Sequence, residues 1–355
     1  MPKVVIAAGG TAGHVVPALA VADVLRDRGV DVEFIGGERA EAELVPAAGY
    51  TLHGLRVSGI DRSNVLRAGR ALLQAGRASG QARRLLRRSG ADAVLGGGGY
   101  VAGPAGLAAR SLGLPLVLTE ADSHLGVTNR MLAPLAHRVC LAFPIAGLSG
   151  PRYLVTGRPL PSGTGAADPA AARERFGIAA NDPCLLVFGG SLGARRLNEA
   201  ALDAFGAVAP CAVLHACGRR DHDELRKRLD ELGAPPHYRL FPYIEPFADA
   251  LAAADLVAAR AGGSVLELAA VGLPAILVPY PHATADHQTA NARYMAEAGA
   301  AVVVPDEELD GPRLAREVAA LLGAPQRMAE MSNAARAAAK PDAAERIADE
   351  LLAAL

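Results

Sequence analysis

KVVIAAGGTAGHVVPALAVADVLRDRGVDVEFI, residues 3–35, is the stretch that decides the fold. Lys3–Ala8 is a short apolar run of strand type. It stops at Gly9-Gly10-Thr11-Ala12-Gly13-His14, after which Pro17 opens an apolar-periodic helix running to Arg28. Gly29 ends that helix, and Val32–Ile35 is a second strand. Strand, glycine loop, helix, strand is a βαβ unit, and it predicts a parallel sheet.

The order recurs along the chain. Ala93–Leu95 reads as a strand, Gly96–Gly99 as a loop and Pro104–Leu112 as a helix. Leu116–Thr119 is a strand followed by a polar loop, Glu120–His124, and Val139–Ala142 is another strand. The second half repeats it, with strand Cys184–Phe188, loop Gly189–Gly193 and helix Ala194–Val208. Strand Val213–Ala216, charged helix Asp221–Leu232 and strands Leu256–Ala258 and Ala301–Val304 follow. The segment GRPLPSGTGAADP, residues 157–169, is rich in Pro and Gly and reads as a linker. Two doubly wound α/β domains are therefore expected, at 1–158 and 159–340. The tail at 341–355 is a helix that can pack back on the first domain.

A length of 355 residues favours two domains, and 51% apolar residues suffice for full cores. With no Trp and 4% aromatics, a stacking platform for nucleic acid is not expected. The four cysteines lack CxxC spacing, which argues against a disulfide framework or zinc site. The apolar N-terminal run is too short for a signal peptide or a membrane span. Charge is uneven: residues 1–158 hold 18 Lys+Arg against 11 Asp+Glu (+7), and residues 159–355 hold 18 against 26 (−8). The first half is thus suited to an anionic partner. Within it, RAGRALLQAGRASGQARRLLRR, residues 67–88, is an amphipathic helix with seven arginines and no acid. It is either a solvated face or a contact for anionic lipid.

The richest polar stretch is ARAGGSVLELAAVGLPAILVPYPHATADHQTANAR, residues 259–293. Its glycine turn, Gly262-Gly263, and Ser264 open a helix, where N–H groups and the helix dipole suit pyrophosphate. Glu267, in the first turn, can accept from ribose hydroxyls or form a capping box with Ser264. Asp286, Gln288 and Asn291 follow one strand later, and loops after neighbouring parallel strands converge on one crevice. GGTAGH is neither GxGxxG nor a P-loop. Its His14, at a helix N-terminus, can stay neutral and act as a base, or simply fix the loop. Asp221-His222-Asp223 spells DxD but starts a charged helix, where acids suit the dipole. No nucleophile elbow of GxSxG form is present.

Taken together, GGTAGHVVPALAVADVL, GGGGYVAGPAGLAA, FGGSLGARRLNEA and residues 259–293 resemble the MurG N-acetylglucosaminyltransferases along nearly the whole chain. The resemblance implies a glycosyltransferase-B architecture, two Rossmann-like domains with a cleft between them. It implies inverting, metal-independent transfer of GlcNAc from UDP-GlcNAc to an undecaprenyl-pyrophosphoryl-linked acceptor. No cofactor is implied, and the place of action is the cytoplasmic side of the cell membrane, with an anionic membrane surface as partner. By position, Thr11, Ala12, Gly13 and His14 face the reacting sugars and Ser191 the donor phosphates. Ile244 flanks uracil, Glu267 holds ribose and Gln288 reads the GlcNAc hydroxyls. Gly263 and Ser264 supply the phosphate turn. Two positions depart from the family pattern. Asp122 stands where an asparagine is usual, so His14 and Asp122 are both candidate bases. Pro161 stands where an arginine is usual, with Arg158 close by. A transferase with another acceptor, a UDP-GlcNAc 2-epimerase and a nucleotide-sugar-binding module are the rival readings.

Overall fold

The computed structural model describes residues 1–55, 65–190 and 193–355, and of residues 65–75 the backbone alone. It divides into two compact units, Met1–Ser162 with Lys340–Leu355, and Gly163–Ala339.

Unit 1 alternates β1 (Lys3–Ala7), α1 (Ala12–Asp27), β2 (Asp31–Gly36), α2 (Ala40–Ala47), β3 (Thr51–Gly54), α3 (Val65–Ser89), β4 (Ala93–Gly96), α4 (Ala102–Leu112), β5 (Leu116–Glu120), α5 (Val127–Leu132), β6 (Arg138–Leu141) and β7 (Tyr153–Val155). All seven strands are parallel, in the order β3-β2-β1-β4-β5-β6-β7. Buried on both faces, the central strands are unbroken apolar runs, as a covered parallel sheet requires. Ala7 pairs with Ile35 on one side and Gly96 on the other, so β1, β2 and β4 end level. Their following loops share one edge. The chain order reverses between β1 and β4, which is where an open α/β sheet binds its ligands.

Unit 2 contains α6 (Pro169–Phe176), β8 (Cys184–Phe188), α7 (Arg195–Phe205), β9 (Ala212–Ala216), α8 (His222–Glu231), β10 (Tyr238–Phe241), α9 (Phe247–Ala253), β11 (Leu256–Ala259), α10 (Val265–Val271), β12 (Ala275–Leu277), α11 (His287–Glu297), β13 (Ala301–Val303), α12 (Gly311–Leu322) and α13 (Pro325–Ala338). Its six parallel strands run β10-β9-β8-β11-β12-β13, and Phe188 pairs with both Ala216 and Ala259. Here the reversal lies between β8 and β11. The last helix, α14 (Ala343–Leu352), belongs to unit 1. Its Ala344, Ile347, Ala348 and Leu351 join the cluster formed by α1, β1, β2 and β4, and Asp349 pairs with Arg28 at 2.5 Å.

Three features differ from the reading of the sequence. Pro17 does not open α1 but lies inside it, and the helix starts at Ala12. A proline there has no N–H to give the carbonyl four residues back. That carbonyl, of Gly13, accepts instead from Arg158 Nη2 at 3.1 Å. The division between units falls after Ser162 rather than after residue 158. Arg158 is tied to Gly13, and Ser162 Oγ donates to Asp23 Oδ2 at 3.1 Å. Strands β3, β7 and β10, of three or four residues each, were not anticipated. No described helix is long and apolar enough to cross a membrane.

Candidate active site

In unit 1 the site grows from the glycine loops after β1 and β4. A Cβ on Gly99 (φ +77°) would stand 1.8 Å from the Gly9 carbonyl oxygen, so the two loops touch backbone to backbone and only glycine fits. A Cβ on Gly98 would stand 2.6 Å from His14 Cδ2, so the imidazole packs closely against that turn. His14 is in the first turn of α1, with Nδ1 3.4 Å from Thr11 Oγ1. Burial holds its pKa below 6.5. The Asp122 carboxylate works in the opposite sense, and the Arg158 guanidinium lowers it further. The ring is therefore neutral at neutral pH, chiefly through desolvation. Thr11, Ala12 and Gly13 are exposed beside it.

Two acids shape this edge. Glu41, on α2, is fully buried. It accepts from Gly10 N–H at 2.8 Å, Gly37 N–H at 2.9 Å and the Tyr100 hydroxyl at 2.8 Å. Burial alone would raise its pKa, but these three donors outweigh it and the group sits below its ordinary value. One carboxylate thus ties together the loops after β1, β2 and β4. Glu120 ends β5 and accepts from Gly126 N–H at 2.8 Å, Asn129 Nδ2 at 2.9 Å and Asp122 N–H at 3.3 Å. It shapes the loop that brings the Asp122 charge to bear on His14, and burial pushes its own pKa up.

In unit 2, Gly262-Gly263 follows β11 and leads into α10. Ser264 takes the N-cap position with αR backbone and makes no side-chain capping bond, so the serine half of a capping box is not formed. Glu267 is half-buried in the first turn. Arg260, 9% exposed, donates to the carbonyls of Val278 and Pro279 at 3.2 and 3.1 Å. It also pairs with Asp306 at 2.6 Å, which locks the loops after β11, β12 and β13. Asn291 Nδ2 donates to the Ala261 carbonyl at 3.1 Å, and Gln288 Oε1 accepts from Tyr280 N–H at 2.9 Å. Just before them, Ala285 and Asp286 both hold φ +53°, a left-handed conformation costing roughly 1–3 kcal/mol each. Such outliers mark built loops. Ile244 is 3% exposed, so its side chain lies inside the fold. Ser191 lies outside the described residues. In the DxD string, Asp221 is buried and bound by arginines while the Asp223 side chain is fully exposed, so the two carboxylates do not form a pair.

Each unit therefore gathers its predicted residues at one sheet edge: Thr11, Ala12, Gly13, His14 and Asp122 in unit 1, and Gly263, Ser264, Glu267 and Gln288 in unit 2. Glu41, Tyr100, Glu120 and Arg260 were missed. For Arg260 the available signal was a charge inside an otherwise apolar segment, LVAARAGG.

Comparison with known proteins gives the same picture from end to end. Residues 4–141 match the glycosyltransferase family 28 N-terminal domain and residues 184–347 its C-terminal domain. A Methylococcus capsulatus protein is 45% identical, covering 98% of this chain and 97% of its own. A Moorella thermoacetica protein is 43% identical over 99% and 98%. Both are named UDP-N-acetylglucosamine–N-acetylmuramyl-(pentapeptide) pyrophosphoryl-undecaprenol N-acetylglucosamine transferase. The crystal structure of Acinetobacter baumannii MurG superposes with a TM-score of 0.81 at 32% identity, over 99% of this chain and 100% of that one. A calicheamicin glycosyltransferase, at TM-score 0.68 and 21% identity, shares the fold. With two parallel-sheet domains, a glycine-cradled histidine in the first and a helix-mounted glutamate in the second, the chain belongs to the MurG family of glycosyltransferases, of glycosyltransferase-B architecture.

Proposed function

We propose that this enzyme transfers GlcNAc from UDP-GlcNAc to undecaprenyl-pyrophosphoryl-MurNAc-pentapeptide, converting lipid I to lipid II in peptidoglycan synthesis. What carries the reading is the match, over nearly the whole of both chains, to relatives named for that transfer. The chemistry follows from the two edges. Unit 2 takes the donor. The Val265 and Leu266 N–H groups close onto the Gly262 and Gly263 carbonyls, so the turn at Gly263-Ser264 and the positive end of α10 take the diphosphate. Glu267 accepts from the ribose hydroxyls, the Ile244 main chain meets uracil, and Gln288 reads the sugar, with Ser191 contributing at the phosphates. Unit 1 takes the acceptor. Its hydroxyl oxygen attacks the anomeric carbon from the face opposite UDP. The new C–O bond forms as the bond to the diphosphate breaks, UDP leaves with the electron pair, and His14 Nε2 takes the hydroxyl proton. His14 is neutral and half-buried, as a base needs.

The enzyme works as a peripheral protein on the cytoplasmic face of the cell membrane, with unit 1 towards anionic lipid. Arg84 and Arg88 of α3, with Gln81, line a cavity of about 650 Å³ beside Gly37 and Gly54. Of the leucines of α3, Leu86 is not available to lipid. Leu86 is 1% exposed and packs into the core, and the side chains of Leu72, Leu73, Arg67 and Arg70 lie outside the described residues. Exposed apolar side chains occur instead on α4 and α5, at Leu107, Val127 and Met131.

A mass-spectrometric assay of UDP-sugars against a lipid I analogue tests the reaction, and a disaccharide product with UDP-GlcNAc is expected. Turnover of UDP-GlcNAc without acceptor would instead identify an epimerase, and binding with no turnover a sugar-nucleotide-binding protein. Replacing Arg83, Arg84, Arg87 and Arg88 by Glu should abolish sedimentation with anionic vesicles, at about 1 kcal/mol per cation. Reaction with a short-chain soluble acceptor should survive.

A further inference from the structure

Behind the mouth of unit 2 runs a chain of buried polar side chains that the reaction above does not use. Tyr238 OH lies 2.7 Å from His215 Nδ1, and His215 Nε2 lies 3.0 Å from Asn198 Oδ1. Asn198 Nδ2 lies 3.0 Å from Asp221 Oδ2 and 2.9 Å from the Cys217 carbonyl. All four side chains are buried. The far end fixes every proton. A carboxylate and a carbonyl only accept, so the Asn198 amide must donate to both. Its oxygen therefore accepts from His215 Nε2–H, and His215 Nδ1 accepts from the Tyr238 hydroxyl. Burial holds His215 at a pKa of about 3, so the ring keeps this neutral form. The result is a one-directional chain from the core of β10 and β9 to a single carboxylate.

Asp221 then holds two exposed cations. Arg220 Nε lies 3.0 Å from Oδ1 and its Nη2 3.3 Å from Oδ2, a two-pronged grip, while Arg195 Nη2 lies 3.3 Å from Oδ1. Their side chains are 61% and 57% exposed. By contrast Arg196, next in sequence, turns back to the carbonyls of Leu309 and Glu307 and is structural. Arg220 follows β9, the neighbour of β8 at the β8–β11 crevice. The same chain also steadies the glycine loop. Cys217 O, held by Asn198, is the atom a Cβ on Gly193 (φ +75°) would strike at 2.3 Å.

We propose that Arg220 binds the diphosphate of the donor, and that Tyr238, His215, Asn198 and Asp221 are positioning residues that aim it. The proposal rests on the reading that unit 2 holds the sugar nucleotide. A guanidinium fork matches phosphate geometry, and a buried carboxylate anchored from behind fixes its direction before the ligand arrives.

The test compares UDP with uridine by calorimetry on the full chain, alongside donor kinetics. Arg220→Ala should raise the UDP Kd and the donor KM about tenfold. Uridine affinity should be unchanged, and Arg220→Lys should fall between. Tyr238→Phe, which removes one hydroxyl far from the ligand, should shift UDP in the same direction by about threefold and leave uridine alone. UDP binding by Arg220→Ala equal to wild type would overturn the proposal. So would equal losses for UDP and uridine in Tyr238→Phe. Failure of the wild-type protein to bind either ligand would instead overturn the donor reading beneath it.

Discussion

The two units solve one problem with opposite charges. In unit 1 the loops after β1, β2 and β4 are held by the buried Glu41 carboxylate, on which two N–H groups and a hydroxyl converge. In unit 2 the loops after β11, β12 and β13 are held by the buried Arg260 guanidinium, on which two carbonyls and a carboxylate converge. A central anion takes up donors, and a central cation takes up acceptors. The edge of unit 2 is thereby left richer in donors, which suits a diphosphate. The edge of unit 1 is left with a neutral imidazole among hydroxyls and carboxylates, which suits deprotonating a sugar hydroxyl. Same topology, different locking charge, different chemistry.

Substitutions at the two edges should separate these roles. The largest effect is expected for His14→Ala. Turnover should fall about 10²–10⁴-fold with UDP affinity intact, because the lost group belongs to the unit proposed for the acceptor. Unchanged turnover would remove His14 from the reaction. Next come the locks themselves. Glu41→Ala and Arg260→Ala should each cost about 3–5 kcal/mol in denaturant unfolding, since each leaves buried partners without their counterpart. Only Arg260→Ala should also weaken UDP binding. Comparable loss of UDP binding in both variants would erase the distinction drawn above. Glu267→Ala should reduce donor affinity by about 1.5–3 kcal/mol, the range for a hydrogen bond to a charged group. A fall in thermal stability with donor affinity intact would show that the carboxylate serves only the helix end.

The smallest effect is a pH shift with a definite sign. His14 must be unprotonated to act, and its pKa lies below 6.5, so the rate should be lost only as pH falls through that lowered value. Asp122 stabilises the imidazolium, and Asp122→Asn should move the acid limb to still lower pH. Arg158 opposes the imidazolium, and Arg158→Gln should move the limb upward. Abolished turnover in Asp122→Asn would make Asp122 the base instead.

Much of this was legible in the sequence because it rests on periodicity. Runs such as Cys184–Phe188 and loops such as Gly96–Gly99 announce a parallel sheet and its ligand-facing edge. Glu41 was not legible. In AEAELVPA nothing distinguishes it from Glu43, and only the approach of the Gly10 and Gly37 backbones makes it a hub. Arg260 carried a faint signal as a lone cation in an apolar strand end, but its counter-charge lies 46 residues later at Asp306. Pro17 misled for a related reason. Its usual place is the first helical turn, and the partner that lets it sit deeper, Arg158, is remote in sequence. Local rules find elements, whereas hubs are made by long-range pairs.

The return of α14 to unit 1 has a consequence in time. Unit 1 is written at both ends of the message, and unit 2 is written between them. On a ribosome adding about 5–20 residues per second, roughly 10–40 s pass between Ser162 and the first residues of α14. For that interval the groove on α1 awaiting Ile347 and Leu351 has no occupant from its own chain. A nascent chain halted just before α14 should be cut by protease in the region of α1, and one halted well beyond it should not.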